Sequence, residues 1–148
     1  MSLLSVTDFV GKYAIGQFQL NEKLLKWYID NEEPLFFAEF FTPLTYYSDL
    51  SARLESVDID IKAVAEAEFA KIKTPLIAWV WLQYTTNEQE RLTGSGITIE
   101  AENNARTVNM DIKCLRVWND MIKHLKIYEN EIINIIKTKL RYRNFLGL

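Results

Sequence analysis

Apolar residues recur along the last third of the chain in steps of three and four: Leu115, Trp118, Ile122, Leu125, Tyr128, Ile132, Ile136 and Leu140. Such steps put all eight on one side of a helix, and the spacing predicts one over about 108–142. The opposite side reads Lys113, Arg116, Asp120, Lys123, Asn130, Asn134, Lys137 and Arg141, interrupted only by Ile127, and neither Pro nor Gly breaks the run. At ~1.5 Å per residue, about 35 residues make a helix about 50 Å long. A domain of this length has a radius of gyration of only about 15 Å. The pattern therefore predicts a spine on which the other segments pack, or which reaches beyond them to a neighbour. A second apolar line, Ile112, Val117, Ile127, Ile133 and Ile135, widens the stripe and predicts burial on two sides.

Upstream, the same periodicity appears in shorter pieces. Ser5 is a natural N-cap with Asp8 three residues on, followed by Val6, Phe9, Val10 and Tyr13; Gly11 weakens this helix and Gly16 ends it. Asn21 caps the next, whose buried side is Leu24, Leu25, Tyr28 and Ile29. The stretch Asn31-Glu32-Glu33-Pro34 predicts a fresh helix start, because Pro suits the first helical position and acids suit the first turn. Phe36, Phe37, Phe40 and Phe41 cluster as a core corner. Thr42-Pro43 restarts the chain, and Leu44, Tyr47, Leu50 and Leu54 predict another amphipathic helix. After a polar link at Ser56–Asp60, residues 61–73 predict a helix with Val64, Ala67, Phe69 and Ile72 turned inward. Thr74-Pro75 reads as a cap with Pro at the first position of a new helix. Leu76–Tyr84, with Trp79 and Trp81 inside it, is too short to span a bilayer and predicts a central buried helix lying against the C-terminal one. Trp79 and Trp118 are expected to be buried near one another.

Residues 85–107 alone carry no helical pattern. Thr85-Thr86-Asn87 stops the preceding helix, Gly94-Ser95-Gly96 is flexible punctuation, and Ile97-Thr98-Ile99-Glu100 alternates as a short strand does. A connection of about 20 residues without helix is long for one domain, and such loops usually carry function. The expected arm covers about 91–107. The expectation is thus a single all-α domain over residues 1–148: a helical bundle with a long C-terminal helix and an extended loop or short β arm before it.

Composition narrows the class without naming a reaction. The 148 residues are 49% hydrophobic and 13% aromatic, which excludes disorder, and five Gly and three Pro argue against a loop-rich or all-β chain. Cys114 is the only cysteine, so neither a disulfide framework nor a multi-cysteine metal site exists. No basic-then-apolar leader opens the sequence and no run of 18 apolar residues occurs, so secretion and membrane spanning are not expected. The net charge of −3 is unevenly spread: ten acids against four Lys/Arg in residues 1–60, six against five in 61–109, four against eight in 110–148. Opposite ends of this kind either neutralise each other within the fold or attract head to tail between copies.

The usual marks of catalysis are missing from the sequence. His124 is flanked by Lys123 and Lys126 with no second His or Cys nearby, and reads as a surface residue. Cys114 reads as a small core residue. Gly94-Ser95-Gly96 lacks the Lys-Ser/Thr of a phosphate loop and the third Gly of a dinucleotide fingerprint. Glu66/Glu68 and Glu100/Glu102 stand two apart and do not share a helix face. No cofactor is expected. Lys137, Lys139, Arg141 and Arg143 form a basic end that suits a helix C-terminus; phosphate or nucleic-acid contact is the sharper reading.

Taken in order, the stretch FVGKYAIGQFQLNEKLLKWYIDNEEPLFFAEFFTPLTYYSDLSARL resembles the opening of small all-α head–tail connector or adaptor proteins of phages and prophages in Bacteroidetes-type bacteria. Tyr47-Ser48-Asp49-Leu50 holds the place of that family's Tyr-x-x-Leu, while Phe41-Thr42-Pro43 stands where the family often has Leu-Gly. The stretch LTGSGITIEAENNARTVNMD is similar to the family's turn-Gly-hydrophobic segment before its final long helix. The resemblance implies a structural virion protein at the head–tail junction, made in the bacterial host cytoplasm. It would be a homo-oligomeric ring subunit in contact with the portal and neighbouring tail proteins, with no membrane and at most indirect DNA contact in a channel. Under that implication Gly94, Gly96, Ile97, Ile99, Glu100, Asn104 and Arg106 would belong to the oligomer interface, with an arm adding a strand to a neighbour. Two other readings stand beside it: a small helical nucleic-acid-binding or regulatory protein using the basic end, and an enzyme with a site in the aromatic cluster around Phe36–Tyr47.

Overall fold

A computed structural model describes residues 2–15, 21–41, 43–94 and 100–128. The described residues form an all-α fold of four helices: α1 (Glu22–Phe40), α2 (Tyr46–Leu54), α3 (Ile59–Gly94) and α4 (Glu100–Tyr128). Two 3-10 turns, Val6–Asp8 and Gly11–Tyr13, precede them where one helix was expected. Gly11 has φ +61°, a left-handed conformation that no helix can pass through. The Asp8 carboxylate does accept from the Ser5 backbone N–H at 2.8 Å, and Ser5 and Asp8 form a capping box at the first turn.

Two expected helix starts at proline are instead helix interiors. α1 runs through Pro34 and α3 runs through Pro75. A proline inside a helix removes one backbone hydrogen bond and costs about 3 kcal/mol. Packing on both sides outweighs it. Leu25, Tyr28 and Ile29 before Pro34 and Phe36, Phe37 and Phe40 after it are all buried in the same core, as are Ile72 and Leu76 around Pro75. The ends follow the expected chemistry more closely. Asn21 Oδ1 caps α1 by accepting from Leu24 N at 3.1 Å, and Asp58 Oδ1 accepts from Asp60 N at 2.9 Å at the start of α3.

The spine is α3, which packs against α1, α2 and α4. Its middle carries Leu76, Ile77, Ala78, Val80, Trp81, Leu82 and Tyr84, all buried, as the dense apolar run requires. Residues 85–94, expected as loop, continue this helix to Gly94, and α4 begins at Glu100 rather than near Val108. An arm over 91–107 is therefore corrected: 91–94 and 100–107 are helical, and only 95–99, outside the described residues, remain between them. Polar residues such as Glu102, Asn103 and Asn104 carry no apolar period, yet α4 extends through them because its remaining turns are already nucleated and elongation is easy.

On α4 the buried side is centred on Val117, Met121, Ile122 and Leu125. It lies between the two apolar lines read from the sequence: Leu115 is half-buried, and Ile112 and Ile127 are exposed. Trp118 does meet Trp79, with ring centroids 6.3 Å apart, although both rings are half-buried rather than enclosed. Trp118→Ala is accordingly expected to cost about 2–3 kcal/mol, below the 3–5 of an enclosed aromatic. Chemical denaturation measures it; a loss under about 1 kcal/mol would mean the two rings do not pack.

Candidate functional site

The densest chemistry lies where α1, α2 and the middle of α3 meet. Phe36 is fully buried, with Phe37 at 5.4 Å, Phe40 at 5.2 Å, Phe41 at 5.7 Å and Trp79 at 6.0 Å between centroids. Phe41 stacks on Tyr46 at 5.4 Å, and Phe37 lies 5.0 Å from Tyr47. Tilted and edge-on contacts dominate, as ring quadrupoles favour. These rings fill one another's gaps, so the aromatic cluster around Phe36–Tyr47 is a core corner.

Three carboxylates pin this corner. Glu33 on α1 is completely buried; its Oε1 accepts from Leu4 N at 2.7 Å, and its Oε2 accepts from Leu3 N at 3.0 Å and from the Tyr47 hydroxyl at 2.8 Å. Glu68 on α3 accepts from the Tyr46 hydroxyl and from Arg53 Nη1 at 2.7 Å, tying α3 to α2. Glu32 accepts from Trp79 Nε1 at 3.1 Å, tying α1 to α3. Burial pushes the Glu33 carboxyl above its ordinary value, against the pull of its three donors. Burial, and then the carboxylate each one faces, raises both Tyr46 and Tyr47. With both oxygens already engaged, Glu33 is built to hold the N-terminal strand of chain onto α1 and α2. Proton transfer to a substrate would require these bonds to break.

Two further ion pairs bind the N-terminal turns to the helices. Asp8 lies 2.9 Å from Lys73 on α3; burial opposes its ionisation, but Lys73 and the Ser5 donors outweigh it and hold Asp8 below its usual value. Lys12 pairs with Asp120 on α4 at the surface. Among the described residues, no group of three or more His, Cys, Asp or Glu could hold a metal ion, and no helix is long and apolar enough to cross a membrane.

The expected interface residues are not brought together in a way that the structure describes. Gly94 ends α3, and Glu100, Asn104 and Arg106 lie in the first turns of α4. Gly96, Ile97 and Ile99 lie outside the described residues, as do Lys137, Lys139, Arg141 and Arg143. Cys114 and His124 on α4 are both half-buried, so His124 is less exposed than its lysine neighbours suggest.

What the sequence reading missed is an exposed apolar surface and a buried acid. Trp27 and Leu35, each 55% exposed, stand two helical turns apart on the outer side of α1. Glu33 was legible in principle: positions 25, 29, 33, 36 and 40 step by four and three, so one helix drawn through Pro34 puts the acid in the middle of the apolar stripe. The chain matches no protein-family profile, no curated protein and no solved structure.

Proposed function

We propose that this protein is a structural assembly subunit, and specifically a ring component of a phage head–tail connector beneath the portal. The finer statement rests on the sequence resemblance. The broader one is supported by a single surface observation: Trp27 and Leu35 display large apolar side chains on one outer side of α1. Trp is strongly enriched among the residues that dominate protein–protein binding energy, and Leu35 two turns away extends the exposed apolar surface beside it. The network around Glu33, Glu68 and Glu32 gives this surface a stiff backing, which lowers the ordering cost of association.

The test is solution mass by light scattering, followed by Trp27→Ala. The expected parent is a closed oligomer whose mass is a multiple of 17.3 kDa. The variant should weaken association by about 2–4 kcal/mol, or roughly 30- to 800-fold, with its helical content unchanged. A parent chain that stays monomeric at about 100 μM and is absent from purified phage particles by mass spectrometry would overturn the ring reading. Tight DNA binding that weakens steeply with salt would favour the nucleic-acid reading instead.

A further inference from the structure

Two outer helix sides combine exposed apolar side chains with charge of opposite sign. On the first turns of α3, α2 meets the side of Ala65 and Glu68, where Glu68 accepts from Tyr46 and Arg53. The side next to it is open. Asp60, Val64 and Ala67 step by four and three and are all exposed, Val64 at 64%. Ile61, beside Val64, is exposed as well. Glu55, Asp58, Asp60 and Glu66 put four carboxylates in and around these turns against one cation, Lys62.

On α4 the charge is reversed. Val117, Met121, Ile122 and Leu125 are buried on the side where α4 packs on α3. Ile112, Arg116, Lys123 and Ile127 step by four, seven and four along the opposite side and are all exposed, Ile127 at 63%. Lys113 and Lys126 add two cations to this stretch, and its one carboxylate, Asp120, is already paired with Lys12. Pointing away from α3, this side of α4 does not cover the first turns of α3 in the same chain. Apolar side chains bordered by opposite charges on two surfaces suit those surfaces to each other.

We infer that the first turns of α3 in one copy dock on the outer side of α4 in a second copy, at Lys123 and Ile127. Asp60 and Val64 stand four residues apart, and so do Lys123 and Ile127. One turn of each helix therefore sets carboxylate against ammonium and apolar against apolar together. Ile61 widens the apolar part of the contact. Pairing like with like would instead set carboxylates against carboxylates, or cations against cations. A contact between two different surfaces is heterologous, and it closes into a ring when its rotation allows. The inference rests on the assembly reading above and names the surfaces through which copies join.

The test is a charge exchange in the 148-residue chain, read by sedimentation velocity. Asp60→Lys and Lys123→Glu, both at exposed positions, are each expected to weaken association at least about tenfold with helical content unchanged. The chain carrying both changes restores an opposite pair, and its association is expected to return to within about threefold of the parent. Absence of that recovery would overturn the contact. Loss in neither single variant, or in only one, would do the same, because the two side chains would not face each other. With Trp27→Ala still disruptive, the ring reading would then stand without this contact, whereas a monomeric parent would overturn both. Should a variant lose helix, salt decides on the parent. Raising it from about 50 to about 500 mM is expected to weaken association at least about tenfold, and unchanged association would overturn the contact.

Discussion

Phe36→Ala is expected to be the most damaging single truncation in the described core, at about 3–5 kcal/mol. Phe36 has no exposed surface and touches Phe37, Phe40, Phe41 and Trp79, so the cavity left behind is walled by rings that belong to α1 and α3 at once. Rigid rings collapse poorly into a void, which keeps the cost near the top of the range. Domains of this kind have only about 5–15 kcal/mol of stability in total, so urea denaturation should register a large fall in the midpoint with little change in slope. A loss under about 1.5 kcal/mol would mean that the corner relaxes and that the four phenylalanines are not the keystone of the α1–α3 contact. Phe40→Ala, which opens the same corner beside Trp79, should fall in the same range.

The second large effect belongs to Glu33. Glu33→Ala removes the acceptor for two backbone N–H groups and one hydroxyl, and a buried donor left unmatched costs about 1–3 kcal/mol. A total of about 3–4 kcal/mol is expected, since Leu3 and Tyr47 are only half-buried and water recovers part of the loss. Tyr47→Phe, which deletes one donor and leaves the other two, should cost about 1.5–2 kcal/mol. The sign with pH separates Glu33 from an ordinary surface carboxylate. Burial raises its folded-state pKa above the ordinary 4.5. The native state therefore holds the proton more tightly than the unfolded chain does. That contribution is fully present below the unfolded value and is lost as pH rises through the folded one. Unfolding free energies of the parent and of Glu33→Gln, compared from about pH 4 to about pH 7, should show the parent losing ground as pH increases. Equal pH dependence would place the native and unfolded pKa together and make the three donors a full match for the burial. Asp8 acts in the opposite sense: its pKa is held low by Lys73, and its contribution is lost as pH falls.

The fold class and most of the interior were legible in the order of residues alone. Dense apolar content at helical spacing, few Gly and Pro, and capping residues such as Asn21 lead to an all-α fold because buried backbone must be hydrogen-bonded within each segment. The contact of Trp79 with Trp118, the aromatic corner and the burial of 76–84 followed from the same periodicity. Tertiary structure alone decided the rest. Pro34 and Pro75 carry strong local stop signals, and only burial on both sides of each lets one helix run through. The glycine- and asparagine-containing stretch over 85–107 has no apolar period, so its helical parts could not be read from pattern. Glu33 is a charge whose burial depends on donors from positions 3, 4 and 47, which distance in sequence conceals. Conversely, Val64 sits at a position that reads as core on a helix wheel but stands in solvent, because α2 meets that end of α3 on the side of Ala65 and Glu68 instead. Periodicity tells which residues share a side of a helix; which side meets a partner depends on where the other helices lie, and that is a property of the whole fold.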